Sequence, residues 1–302
     1  MLKSLLKKSF VYSLYKKYNK RRLNKISLLE IEKRIADNTL LKDLNEDELR
    51  DWSQRIALVL SSPDNKKINC VENAGELRDG LLVMHNGIVI EPLSYYRYPI
   101  LKMLLNNRGI HEPQEEYVFQ EVLKEMPVGA TMIELGAYWS FYSMWFNKRI
   151  ENAKNYMIEP CNIEYGITNF KYNKLRGRFF QYYITNKPSV NEDGSVNISV
   201  DSFIADNNID FVDILHSDIQ GYELLMLNGA HNLLTKRKVG YVFISTHSDE
   251  LHADCERLMD DMGFIQLCSA NLEDTYSQDG LLVYKNPEYK GIEKIEISLR
   301  KN

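Results

Sequence analysis

The chain has 302 residues, 44% hydrophobic and 26% charged, which is enough apolar material for a sizeable core and argues against a disordered chain. Its four cysteines are scattered with no C-x-x-C among them, so a disulfide framework and a zinc ribbon are both disfavoured and a reducing compartment is expected. The net charge of −4 hides an asymmetry: residues 1–25 hold seven Lys and two Arg and no acid, a charge of +9 that leaves −13 for the rest, so the main body should repel nucleic acid.

In the basic arm, residues 1–25, Leu2, Leu5, Leu6, Phe10 and Leu14 recur at helical spacing among Lys3, Lys7, Lys8, Lys16 and Lys17. That pattern suits an amphipathic helix on an anionic membrane surface, and equally a solvated basic helix. Lys7 and Lys8 interrupt the apolar run of a signal peptide, and no stretch reaches the ~18 apolar residues of a spanning helix. A cytoplasmic protein is expected, with peripheral contact at the inner membrane face through residues 1–25 as the membrane reading.

Residues 26–108 form an accessory region. The pattern is helical to about Ser61, with Asn45 ahead of Glu46, Asp47 and Glu48 as a cap. Pro63, Asp64 and Asn65 break it, and the apolar runs Leu81–Met84 and Ile88–Ile90 flank Asn86-Gly87, a hairpin signal. Tyr95, Tyr96 and Tyr98 suit packing better than stacking on a sugar or base.

The main domain is expected over 109–302. His111, Glu112 and Pro113 open a helix whose first turn gains from Glu115 and Glu116. Next, Met132 and Ile133 read as a strand with Glu134 at its carboxyl edge, Gly136 and Ala137 as a tight turn, and Ser140 to Asn147 as a helix. Further strands are expected at Asn155–Ile158, Arg178–Tyr183, Phe211–Ser217, Val239–Thr246, Phe264–Cys268 and Gly280–Tyr284, with helices after Gly221 and over Asp249–Met262. This alternation predicts an α/β fold, a doubly wound and mainly parallel sheet. Right-handed crossovers then bring Glu134, Glu159, Asp218 and His247 to one rim.

Glu159 lies 25 residues after Glu134, near the ~20-residue offset at which a carboxylate takes ribose hydroxyls. The turn lacks the glycine spacing of a dinucleotide fingerprint, so a cofactor without a pyrophosphate, such as S-adenosylmethionine, fits better. His216, Asp218 and His247 have three open readings: ligands of a divalent metal, a site with His247 as general base, or satisfied strand-end side chains.

The stretches MIELGAYWSFYS, MIEP (157–160) with Asn169 beyond it, VDSFI (200–204) and above all ILHSDIQGYELLMLNGA (214–230) resemble the FkbM family of S-adenosylmethionine-dependent methyltransferases over roughly residues 109–285. The resemblance implies a seven-stranded Rossmann-like methyltransferase sheet, here with an N-terminal helical and hairpin extension. It places Glu134, Gly136, Ala137, Tyr138 and Ser140 at the cofactor, Glu159 at its ribose and Asp201 near its adenine. Asp218 and His247, with His216, become the catalytic candidates, and Gln220 and Glu223 the substrate-binding ones. Tyr138 and Ser140 stand where the family usually has Asn and Gly, and His216 where it commonly has Lys. O-methylation of a sugar or glycan hydroxyl in surface-polysaccharide biosynthesis is the implied activity. The altered turn motivates an alternative, an inactive methyltransferase fold that binds a glycan or a partner protein.

Overall fold

Long runs such as Val239–Thr246 are apolar at almost every position, the pattern of a strand covered on both faces, and all eight of its residues are buried. In a computed structural model describing residues 28–301, such runs build the central sheet; the basic arm expectation falls on residues outside those described. The chain divides into two compact units between Arg50 and Asp51. In the first, residues 28–36 are helical (α1), Arg34 pairs with Glu30 and Asp43, and Asn45 and Glu48 exchange hydrogen bonds of 2.9 and 3.0 Å as a capping box. Helix α2 (Glu46–Ser61) continues into the second unit.

The second unit starts with a small antiparallel sheet, β1 (Leu77–Arg78), β2 (Leu81–Val83) and β3 (Val89–Ile90), with Asn86-Gly87 at the expected hairpin tip. The outer edge of β3 is met by side chains. Asn173 accepts from the Val89 amide (2.9 Å) and donates to its carbonyl (2.7 Å), and Asn169 accepts from the Glu91 amide (3.0 Å). Helices α3 (Arg97–Asn106) and α4 (Pro113–Lys124) follow.

From there strands and helices alternate: β4 (Thr131–Leu135), α5 (Phe141–Arg149), β5 (Lys154–Ile158), α6 (Ile163–Tyr172) and β6 (Arg178–Phe180). A second small sheet, β7 (Tyr183–Ile184), β8 (Ser189–Val190) and β9 (Val196–Ile198), interrupts the order. Then come α7 (Val200–Asp206), β10 (Val212–Ser217), α8 (Glu223–Gly229), α9 (His231–Thr235), β11 (Val239–Thr246), α10 (Asp249–Asp261), β12 (Ile265–Ala270) and β13 (Gly280–Lys285). The main sheet has the order β12-β13-β11-β10-β4-β5-β6, parallel except for β13, which is antiparallel to both neighbours. This is the seven-stranded, mainly parallel Rossmann-like sheet that was expected.

Register decides where chemistry collects. Leu135 lies level with Ile158 on one side and Ser217 on the other, so β4, β5 and β10 end on one line. Strand direction of travel reverses between β4 and β10, the switch point at which a crevice opens. Alternation sends Ile133, Leu135 and Leu215 into the core shared with α7, α8, α9 and α10. Glu134 and His216, paired in register, face the opposite layer of α4 and α5.

Candidate functional site

The turn after β4 is tight for a steric reason. Gly136 has φ +74°, and a β-carbon there would collide with the Asp218 carbonyl oxygen, so only glycine lets the β4 and β10 ends approach this closely. The Gly136 and Ala137 amides donate to the Ile158 carbonyl (2.9 and 3.1 Å). Tyr138 (φ 35°) and Ser140 (φ 60°) are also left-handed, which costs on the order of 1–3 kcal/mol each and needs surrounding structure to hold it. Trp139 supplies that support: it is buried, stacked between Tyr95 (4.5 Å, 8°) and Phe141 (5.1 Å, 12°).

A cavity of about 690 Å³ lies over this turn, within the ~300–1,000 Å³ of ligand sites. Gly136, Ala137, Tyr138, Glu134, Glu159 and Asp218 all line it. The Glu159 carboxylate accepts the amides of Cys161 (2.8 Å), Asn162 (2.9 Å) and Tyr138 (3.3 Å). Three of its roughly four lone-pair positions are thereby used, and one is left for a ligand hydroxyl. A second wall comes from Tyr183, Thr185, Asn191 and Asn197 of the unexpected β7–β9 sheet.

The inner end of the cavity is built by residues the sequence reading assigned only to helix capping or packing. His111 and Glu112 line it, together with Tyr142 of α5, whose hydroxyl donates to Glu112 (2.9 Å). Behind them Glu116 accepts the His111 and Glu112 amides and meets both His111 Nδ1 (2.6 Å) and His85 Nε2 (2.8 Å). Burial alone would depress the His111 pKa, but Glu112 and Glu116 outweigh it and carry it up to about 10. Glu134 is pushed the other way by burial, to about 7, although His216 and the Ser143 amide oppose the shift. Three acids within five positions, 112, 115 and 116, on a helix that also carries Val118, Phe119 and Val122 were the available signal: carboxylates at the head of a core-facing helix need buried partners.

The metal reading is corrected by geometry. His216 Nε2 lies 2.6 Å from Glu115 of α4, under Tyr142 and Phe243, and does not converge with Asp218 and His247. The strand ends at Ser217, so side-chain alternation does not extend to Asp218, which is already in the turn with its amide on Leu135. Among the described residues no group of three His, Cys, Asp or Glu is arranged to hold a metal ion.

His247 sits instead in a ring of acids: Asp218 (3.2 Å), Glu223 (3.1 Å) and Asp279 (3.5 Å). Burial lowers its pKa, yet the hydrogen bonds it donates to Asp218 and Glu223 and the charges of Asp218 and Asp279 raise it to about 10. The surrounding acids therefore favour the His247 cation, whose ring has no lone pair to act as general base, and Asp218 is the candidate of the two that can accept a proton. Gln220, left-handed at φ 56°, donates from its side-chain amide to Asp218 Oδ1 (2.9 Å) and lies against the His247 ring.

Three other candidates lie elsewhere. Asp201 is spent on the start of α9, accepting from the Asn232 and Leu233 amides (2.8 and 2.9 Å), and does not line the cavity. Ser140 is buried against Gly166 of α6, whose hypothetical β-carbon would overlap its hydroxyl. Glu223 is fully buried; it holds the 219–221 loop through the Ile219 and Gly221 amides and orients His247, so it supports the substrate side without facing it.

Against known proteins, residues 190–265 match the family model described as the Methyltransferase FkbM domain. No curated protein matches the sequence. Similar solved structures include a precorrin-6y C5,15-methyltransferase from Geobacter metallireducens (10% identity, 56% of this chain and 87% of that one, TM-score 0.38). TrmK of M. capricolum, solved with S-adenosyl-homocysteine, shows 10% identity over 57% of this chain and 69% of that one (TM-score 0.40). A SAM dependent methyltransferase from Aquifex aeolicus shows 14% identity over 55% and 88% (TM-score 0.34). At these levels the fold rests on the strand order itself. The family match runs from β8 to the first residue of β12 and includes the 214–230 motif, so over those residues the chain is similar to the FkbM methyltransferase domain.

Proposed function

We propose that the protein is an S-adenosylmethionine-dependent O-methyltransferase acting on a hydroxyl of a sugar or glycan. The observation that carries this reading is the cavity at the β4–β10 switch point, with a glycine turn, a strand-end carboxylate at Glu159 and an acidic rim at Asp218. Gly136, Ala137 and Tyr138 would hold the methionine end of the cofactor and Glu159 its ribose. When bound, the cofactor supplies an electrophilic methyl group on a sulfonium, whose bonding pair stays with sulfur as the acceptor oxygen takes the carbon.

The chain's own part is alignment and proton removal. Asp218 accepts the proton of the acceptor hydroxyl, and the His247 cation, held by Glu223, fixes the orientation of that carboxylate. Work on glycans beside a membrane would give the basic arm a role. Calorimetric titration with S-adenosylmethionine is the direct test, followed by transfer of labelled methyl to neutral glycosides. Absence of cofactor binding sinks the enzyme reading. The left-handed Tyr138 over the cavity favours one second reading, an inactive methyltransferase fold that binds a glycan, and that absence would leave it standing.

A further inference from the structure

We infer that a second cavity, lined by helix α2, the segment before α3 and loops at the carboxyl edge of the sheet, is a subsite for a neutral sugar ring of the acceptor. It has a volume of about 320 Å³ and shares Tyr95, Tyr96 and Gln220 with the first, so the two sites adjoin. Trp52 and Arg55 form its outer wall, and His247 and Asp279 its floor. Trp52 and Arg55 lie in the accessory region, outside the stretch that matches the family model. The inference rests on the proposed transfer to a sugar hydroxyl and adds what holds the ring.

Three observations point to a ligand. First, the Arg55 guanidinium packs over the Trp52 ring (5.0 Å) and donates through Nη1 to Gln278 (2.7 Å), but its Nε is buried with no hydrogen-bond partner among the described residues. A buried donor left unpaired is destabilising, and a ligand hydroxyl would satisfy it. Second, Tyr96 is 43% exposed and held by consecutive left-handed residues, Tyr96 (φ 38°) and Arg97 (φ 58°). Such strain persists only where the surroundings enforce it, and its result here is an aromatic ring presented at the junction of the cavities. Third, the charged lining is of mixed sign, with Arg55 and His247 beside Asp279 and with Asp218 and Glu223 paired to His247. Neighbouring groups of opposite sign favour no fully charged ligand. Flat aromatic faces beside planar guanidinium, amide and carboxylate groups instead match a pyranose, whose C–H face stacks and whose vicinal hydroxyls both donate and accept.

The test is saturation-transfer NMR on the full chain, with and without S-adenosyl-homocysteine, using methyl glucopyranoside, methyl mannopyranoside and methyl galactopyranoside against methyl glucuronide. At least one neutral glycoside is expected to receive saturation. Trp52→Ala and Arg55→Gln should each weaken it at least fivefold while leaving melting temperature and calorimetric affinity for S-adenosylmethionine at wild-type values. Trp52→Phe should restore it. No neutral glycoside binding, a preference for the glucuronide, or binding indifferent to both variants overturns the subsite. Those outcomes are separable from failure of the methyltransferase reading, which shows as absent cofactor binding in the same preparations; the glycoside arm is informative without cofactor.

Discussion

Replacing His111 with Gln removes one buried cation from between two buried carboxylates while keeping a side chain of similar reach. His111 meets Glu116 at 2.6 Å and Glu112 at 3.3 Å, and all three residues are buried. Removing one partner of such a cluster typically costs roughly 3–5 kcal/mol, because the remaining charges stay buried. The pH dependence is more diagnostic than the loss itself. The folded-state pKa is raised, from 6.5 to about 10, so the stabilisation is fully present below the unfolded value and fades as pH climbs through the folded one. Between about pH 7 and about pH 9.5 the histidine's contribution should shrink by about 3 kcal/mol. Urea unfolding of wild type and H111Q at the two pH values isolates this term, since other titrating groups are common to both. The expected result is a stability gap that is wide near neutrality and nearly closed at the alkaline end. A gap that stays constant with pH, or no gap at all, would refute the assignment of His111 as the cation of the cluster.

Gly136→Ala should weaken S-adenosylmethionine binding at least tenfold, about 1.4 kcal/mol, because the new methyl forces the turn away from the Asp218 carbonyl; unchanged calorimetric affinity would remove the turn from the cofactor site. Asp218→Asn should lower kcat by about 10²–10⁴ with cofactor affinity largely retained, and a variant that turns over normally would exclude Asp218 as proton acceptor. Dialysis against a chelator should leave methyl transfer unchanged, since His216 is committed to Glu115; activity lost with the chelator and recovered with a divalent ion would contradict that geometry.

Much of the main sheet was legible because its strands are short apolar runs whose type and order are set by burial on both faces. Val239–Thr246 matches its expected bounds, and most other strands fall within a residue or two. Two places misled. The run expected over Arg178–Tyr183 splits after Phe180, and β7 leaves the main sheet to pair with β9, a long-range choice no local pattern encodes. The helix expected after Gly221 breaks at Ala230, between α8 and α9. In the site, the backbone-defined part was readable: Gly136, Glu134, Glu159 and Asp218 follow from strand ends. Side-chain partnerships were not. His216 and His247 look alike in sequence, yet one faces Glu115 across the helix layer and the other a ring of three acids at the rim. Asp279, from the loop before β13, carried no signal because its importance depends on that ring.

Asn169 on α6 and Asn173 at its C-terminal cap also bear on association during folding. Strand β3 is the free edge of a small sheet, and an uncapped edge offers a row of amides and carbonyls to any other extended chain. Asn173 occupies both groups of Val89 and Asn169 the amide of Glu91, so side chains separated from the strand by about eighty positions do what a neighbouring strand would do. Until α6 docks, that edge is open to association, and its closure couples aggregation resistance to completion of the main sheet rather than to formation of the hairpin.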